Sequence, residues 1–280
     1  MGILLGILSA LVWGVAGVAG SLGSRRIGAR RLIAWGLITG MALAVPLALL
    51  SGAPGPIDAR TGLWLLLVAA TMVSGMGFVY LGVQRGSISV VAPISALYGG
   101  VSALIAIVGG EPLTALAIGS LAVAVIGGAF AASGSSSDPR GANLQQGAAA
   151  GFAALAALVW GVQLWASSQI QAELGPSWLV LLARSVGLVI IVAPLLVQRR
   201  LSIPRRALPY AIAAGCGEVA GFTLYLLSST YGVAQASVLT GQYGTVAALI
   251  GLTVLGERLR GIQYVGLAMI IVAVVGLTLS

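Results

Sequence analysis

The sequence predicts an all-α integral membrane protein whose ten transmembrane helices form two inverted five-helix repeats. Three observations lead there. First, the 280 residues are 59% hydrophobic and 7% charged, with a mean hydropathy of +1.08. Soluble domains carry about 25% charged residues, so this chain cannot cover a water-facing surface and lipid must solvate it. Second, the sequence is doubled: Leu11-Val12-Trp13-Gly14-Val15 returns as Leu158-Val159-Trp160-Gly161-Val162, and Gly110-Glu111-Pro112-Leu113 as Gly256-Glu257-Arg258-Leu259. Third, the arginine clusters change place between the copies. Arg25, Arg26, Arg30 and Arg31 follow the first apolar segment of half one, whereas Arg199, Arg200, Arg205 and Arg206 follow the second segment of half two. Similar halves with opposite charge bias insert upside down to each other, as in secondary carriers.

A spanning helix needs about 20 apolar residues. Ten segments qualify, near 3–22, 32–50, 62–83, 87–108, 114–133, 146–169, 177–197, 207–230, 234–255 and 260–279. The first has no basic stretch ahead of it, and its positive charges follow it, so it reads as a retained helix rather than a signal peptide. The turn-rich run Ser51 to Pro56 separates the second and third segments. The third and fourth meet at Arg85 to Ser87, and the eighth and ninth at Tyr231 to Ala234; each join reads as a tight hairpin, because one continuous helix would be too long for a single span. Gly134 to Asn143, with its serine run and Pro139, is the longest polar link. The expected units are therefore residues 1–134, a linker at 135–145, and residues 146–280.

Arginine distribution sets the expected orientation. Twelve of the fourteen arginines fall in loops after odd-numbered segments, Arg60 alone lies in a loop on the other side, and Arg184 lies within the seventh segment. The positive-inside rule puts the odd loops in the cytoplasm and both termini outside, in the cytoplasmic (inner) membrane. The net charge of +8 thus reads as a topology signal, and no nucleic-acid partner is expected. Histidine is absent and Cys216 is the lone cysteine. No metal motif, phosphate loop or nucleophile elbow appears, so neither a cofactor nor a catalytic site is expected and the chain does not read as an enzyme.

The halves align further through Gly77-Phe78 with Gly221-Phe222, Tyr80-Leu81 with Tyr225-Leu226 after a one-residue slip, and Tyr98-Gly99 with Tyr243-Gly244. The closing run Gly256-Glu257-Arg258-Leu259, then Gln263, Gly266 and the apolar tail to Gly276, resembles the signature that ends each half of EamA-type transporters of the drug/metabolite transporter superfamily. The resemblance covers the whole chain and includes a tryptophan-glycine pair in the first helix of each half. The first copy departs from it: it lacks the glutamine, and Glu111 to Gly119 is one residue shorter than Glu257 to Gly266. The resemblance implies export of small polar metabolites, with amino acids, aromatic ones included, among the cargo.

Glu218 is the sharpest candidate site residue. It falls mid-span in the eighth segment, where a charge costs about 2.5–3.5 kcal/mol even on insertion scales, so it must face a cavity or a partner. Its counterpart in half one is expected near Ser74. Arg184 is its natural partner. The two either brace half two as an internal ion pair or bind the two ends of a zwitterion separately. Gln163, Gln242 and Tyr243 are mid-span polar groups that serve either a hydrated cavity or interhelical hydrogen bonds. Trp13, Trp160, Tyr80, Tyr98 and Tyr225 sit away from the interfaces where such residues gather; they line a pocket or pack against glycines. Pro46, Pro93 and Pro194 lie inside spans and are expected to kink them, with Pro93 the candidate for gating.

These features predict a secondary transporter that moves a small-molecule substrate by alternating access through a central cavity between helices 3, 4, 8 and 9 with helices 1 and 6. Its expected surroundings are the lipid bilayer, its second cargo under a coupled mechanism is the proton, and its state is monomer or homodimer. A flippase for a lipid-linked intermediate and a non-transporting membrane assembly subunit are the alternatives on the same architecture.

Overall fold

The computed structural model describes residues 1–86, 88–132, 144–255 and 261–279. Each of the ten expected segments is helical, and no strand occurs among the described residues. The helices are α1 (Gly2–Ile27), α2 (Ala29–Leu50), α3 (Ala59–Arg85), α4 in two pieces (Ile88–Ala96 and Tyr98–Val108), α5 (Ala115–Ala132), α6 (Leu144–Ser168), α7 (Pro176–Val197), α8 (Leu208–Ser229), α9 in two pieces (Val233–Gly241 and Tyr243–Leu255) and α10 (Gly261–Thr278). Leu4, Leu8, Leu11 and Val15 leave one stripe of α1 exposed, which is what a lipid-facing helix requires.

The packing is that of a pseudo-two-fold. α1 lies against α8, and its mirror α6 lies against α3; α2 against α8 is matched by α7 against α3, and α1 against α9 by α6 against α4. The pairs α4–α9, α5–α10 and α2–α7 each join a helix to its own mirror image. The repeat read from sequence is therefore also a repeat of contacts, and the two halves are interleaved rather than side by side.

Four features depart from or add to the sequence reading. A short helix, Gln171–Leu174, occupies the loop before α7. α7 passes through a π-helical turn, Leu188–Val192, just ahead of Pro194; a wider turn of this kind absorbs the missing proline N–H. α2, in contrast, runs unbroken through Pro46. Lastly, α4 and α9 are interrupted at Leu97 and Gln242, where the amide N–H bonds three residues back, to Ile94 and Leu239. These are mirror positions, flanking Tyr98 and Tyr243, and no proline precedes Gln242 in α9, so the interruption belongs to the fold and not to Pro93. Its cause is the crossing itself: Gly99 lies against the Ser237 carbonyl and Gly241, with no room for a Cβ between the backbones. Pro93 lies in the first piece of α4, but its side chain is outside the described residues. Linker residues 135–143 and the second Gly-Glu run lie outside them too, as does Ser87 in the α3–α4 hairpin, while Leu144 and Gln145, expected in the linker, already belong to α6. The α8–α9 hairpin turns at Gly232, whose φ of 144° is open to glycine alone.

Among the described residues, Arg25, Arg26, Arg30, Arg31, Arg85, Arg199, Arg200, Arg205 and Arg206 lie in or beside the ends of α1, α2, α3, α7 and α8 at one end of the bundle. Arg25 donates from Nε to the Val83 carbonyl (3.2 Å) and from Nη2 to that of Gly86 (3.1 Å), and Arg26 stacks 4.6 Å above the Tyr210 ring. The opposite end holds the Arg60–Glu173 pair (3.2 Å) and Asp58, which caps α3 by accepting from the Thr61 N–H at 2.7 Å.

Candidate substrate-binding site

The two tryptophan-glycine pairs build the centre. Gly14 lets α1 settle against Val246 and the Tyr243 carbonyl, and Gly161 lets α6 settle against Val101 and the Tyr98 carbonyl. Each tryptophan then reaches across its neighbouring helix. Trp13 Nε1 donates to the Glu218 carbonyl (3.3 Å) over Gly221, while Trp160 Nε1 points at the Met72 carbonyl (3.5 Å) over Gly75. These matched contacts fix the register of the repeat. Glu218 corresponds to Met72, not to Ser74, and Gly221 to Gly75. The expected alignment was two residues out, because Gly/Ala/Leu-rich helices match almost as well after a small shift and only the indole contacts decide between the choices.

Between the tryptophans, Tyr98 and Tyr243 stack with centroids 5.5 Å apart. Trp13 and Trp160 both meet Tyr98 edge-on, at 6.0 and 5.8 Å. The Tyr98 hydroxyl donates to the Thr240 carbonyl (3.0 Å), and that of Tyr243 bonds the Ser95 hydroxyl (2.6 Å). Both hydroxyls are thus held by the interruptions of the facing helix. This is the arrangement a rigid aromatic floor needs.

Above that floor lies a cavity with about 840 Å³ of empty space, its open mouth included. Seven of the expected residues line it: Trp13, Tyr80, Tyr98, Trp160, Gln163, Glu218 and Tyr243. Their neighbours include Ser21 and Met76, which the sequence did not single out; Met76 has the spacing of any apolar helix residue, and Ser21 carries only the weak signal of a polar group in a small-residue helix. The cavity runs toward the arginine end, since Val83 in the last turn of α3 and Val91 in the first turn of α4 also line it. Toward the other end it stops at Phe222, Tyr225 and Leu226, all fully buried. Polar seams lock that layer: Tyr225 donates to the Leu164 carbonyl (3.0 Å), and Ser102 bonds Ser237 (2.8 Å). Glu111 spans from half one to half two, accepting the Ala234 N–H on both carboxylate oxygens (3.2 and 3.1 Å) at the start of α9.

Arg184 and Glu218 pair with each other, Nη1 to Oε2. Arg184 is 1% exposed and does not line the cavity, whereas the Glu218 side chain is 14% exposed and does. The second guanidinium nitrogen of Arg184 donates to the Gly36 carbonyl (2.7 Å), and the group fits because Gly40 has no side chain in its way. The pair therefore ties α2, α7 and α8 together and turns its negative end to the cavity. Gln242 stands elsewhere: its amide donates to the carbonyls of Ala124 (3.2 Å) and Val238 (3.3 Å) beside a smaller pocket at the α9 interruption. Gln163 is the converse case. It is 3% exposed and lines the cavity, whereas the buried side-chain atoms left without a partner among the described residues are Arg184 Nε and Thr240 Oγ1.

A central cavity walled by both halves of an inverted repeat is the site expected of a carrier, and comparison with known proteins gives the family. The family model of the EamA-like transporters matches twice, over residues 1–133 and 147–279. The chain belongs to the EamA-like transporter family. It is therefore a multi-pass membrane transporter of the drug/metabolite superfamily, with a small-molecule substrate. Among solved structures, 26 chains match this EamA-like transporter. One, described only as a crystal structure of a protein, superposes with a TM-score of 0.76 over 99% of this chain and 98% of its own, at 17% identity. That similarity speaks for the fold alone. No curated protein matches.

Proposed function

We propose that this EamA-like transporter exports a small metabolite bearing an amino group on an aromatic or otherwise apolar body, amino acids being the class its family resemblance implies. Transport is by alternating access across the cytoplasmic membrane, with the arginine end inside and both termini outside. The units 1–134 and 146–280 rock about the crossing of α1, α3, α4, α6, α8 and α9. Trp13, Trp160, Tyr98 and Tyr243 take the apolar body, and Tyr80 closes one wall. Glu218 and Gln163 take the polar end, with Arg184 holding Glu218 in place. Tyr225 joins the site on the other side of the cycle, Gln242 keeps the α9 interruption anchored to α5, and Pro93 eases the bending of α4.

One observation carries this reading. The cavity reaches the arginine end and stops at a buried layer whose members mirror its own walls. In the register set by the tryptophans and tyrosines, cavity-lining Val79 corresponds to buried Tyr225, and cavity-lining Ala92 to buried Ser237. Exchanging the conformations of the halves opens the second set and closes the first.

Cysteine accessibility tests it. In a Cys216→Ala background, Ala92→Cys is expected to react with a membrane-impermeant thiol reagent from the arginine end, while Ser237→Cys stays protected. An outward-directed substrate gradient should reverse the pair. Labelling of both positions from the same side at all times would refute alternating access. The cargo and its coupling come from uptake into proteoliposomes: a pH gradient that drives wild-type flux but not that of Glu218→Gln assigns the proton to Glu218, and flux indifferent to the gradient marks a facilitator.

A further inference from the structure

We infer that the cavity selects protonated amines that carry no carboxylate, in particular an ammonium joined by a short chain to an aromatic ring. The inference rests on the transport reading above and, within its amino-bearing aromatic substrates, sets aside the amino acids that the family resemblance implies.

The argument begins with charge. A zwitterion needs a cation for its carboxylate, and Arg184 is the natural choice. But both terminal nitrogens of Arg184 are engaged, by Glu218 and by the Gly36 carbonyl, and the side chain is sealed from the cavity. No other arginine lines the cavity among the described residues, and the chain has no lysine or histidine. Among the described residues, the one charged side chain lining the cavity is Glu218, with Oε2 bound from behind by Arg184. The pair is thus a dipole with its negative end in the cavity. Drawing Arg184 forward to a ligand carboxylate would strand Glu218 as an unpaired charge inside the membrane, which a low-dielectric site opposes strongly.

The walls agree with the charge. Trp13 bonds the backbone of Glu218 itself, so an ammonium docked on that carboxylate lies beside an indole. Trp160, Tyr98 and Tyr243 complete an aromatic enclosure on the same floor. Aromatic faces attract a desolvated cation and repel an anion. The Gln163 amide in the cavity wall adds one neutral donor and acceptor, suited to a ring substituent such as an N–H or hydroxyl and too weak to hold a carboxylate alone.

A series of three probes decides the matter, because tryptophan adds only a carboxylate to tryptamine and indole lacks its aminoethyl chain. Binding is measured calorimetrically on the full chain in lipid nanodiscs. Tryptamine is expected to bind at least about tenfold more tightly than either of the others, and Glu218→Gln to reduce it to the level of indole. Should that variant misfold, the double variant Glu218→Gln, Arg184→Gln, which leaves no stranded charge, is expected to lose the same preference. Tryptophan binding as well as tryptamine overturns the inference, as does indole binding as well, or no tryptamine binding up to millimolar concentration. Flux in proteoliposomes separates the two readings. Tryptamine that binds but is never moved refutes transport and leaves the ligand class standing; tryptophan moved in preference refutes the ligand class and leaves transport standing.

Discussion

At the crossing of α1 with α8, the Trp13 indole meets the carbonyl of Glu218; at the mirror crossing of α6 with α3, the Trp160 indole meets the carbonyl of Met72. The tryptophan, the receiving glycine and the helix contact are the same in both. Only the side chain at the shared position differs, charged in one and apolar in the other. The scaffold is therefore symmetric and the chemistry is not. Under the proposed rocking mechanism, motion needs two equivalent halves and recognition one polar group, and a second buried carboxylate would add a desolvation cost with no second arginine to offset it.

The largest expected effect follows from that asymmetry. Arg184→Leu leaves Glu218 without its counter-charge and is expected to cost about 3–5 kcal/mol of stability, read as a loss of thermal stability in detergent. Removing both charges, Arg184→Leu with Glu218→Leu, is expected to recover most of it while abolishing substrate binding. In the mirror crossing, Met72→Leu should cost less than about 1.5 kcal/mol. A mild Arg184→Leu would mean that the pair does not brace α2, α7 and α8 together.

The next test asks whether the shared scaffold is shared in energy. A Cβ on Gly221 or Gly75 would run into the Trp13 or Trp160 indole. Gly221→Leu and Gly75→Leu are each expected to cost about 1–3 kcal/mol by overpacking, and to do so about equally. A penalty at one site alone, in parallel melts, would show that one tryptophan contact is dispensable and that the two-fold is only approximate where it matters.

Much of this comparison was legible in the sequence, and its limits are instructive. Hydropathy gave all ten spans because a helix in lipid must be apolar along its whole length, a long-range signal. Trp13 and Trp160 gave the repeat because tryptophan is rare enough to mark a register. The interruptions at Leu97 and Gln242 left no trace, since they come from the close crossing of α4 and α9 at Gly99 and Gly241, a contact between distant residues. Tyr225 reads as a cavity aromatic from its depth alone, but it is fully buried, with its ring stacked on Phe222 and its hydroxyl on the Leu164 carbonyl, the latter a contact between distant residues. Depth likewise brought Arg184 and Glu218 together without telling which of them faces the cavity. That depended on Gly40 and the Gly36 carbonyl across in α2.

A smaller effect tests the sealed end. Glu111→Gln weakens the carboxylate cap on α9 across the two halves, and is expected to cost about 1 kcal/mol. It should also raise the reactivity of a cysteine placed at Ser237 from the end opposite the arginines. Unchanged reactivity would make Glu111 a cap only and not part of the closure. Its repeat partner Glu257 lies outside the described residues.

The smallest effect separates the starts of the mirror helices α3 and α8. α3 begins on Asp58, whose carboxylate accepts the Thr61 N–H at 2.7 Å. α8 has no side-chain cap; it begins after the turn Arg205–Ala207 with a proline in its first turn. Only half one is thus expected to carry a pH-sensitive start. The bonds from Thr61 hold the Asp58 carboxyl below its ordinary value. A carboxyl lowered on folding contributes stability that is fully present above its unfolded pKa and is lost as pH falls through the folded one. As pH falls through and below the ordinary carboxylate range, the wild type should therefore lose stability that Asp58→Asn, which keeps an acceptor but cannot titrate, does not lose. Protection of the α3 amides near Thr61 in hydrogen exchange should follow the same course, while those at the start of α8 stay level. Equal loss at both helices would place the acid sensitivity elsewhere and remove this difference between the halves.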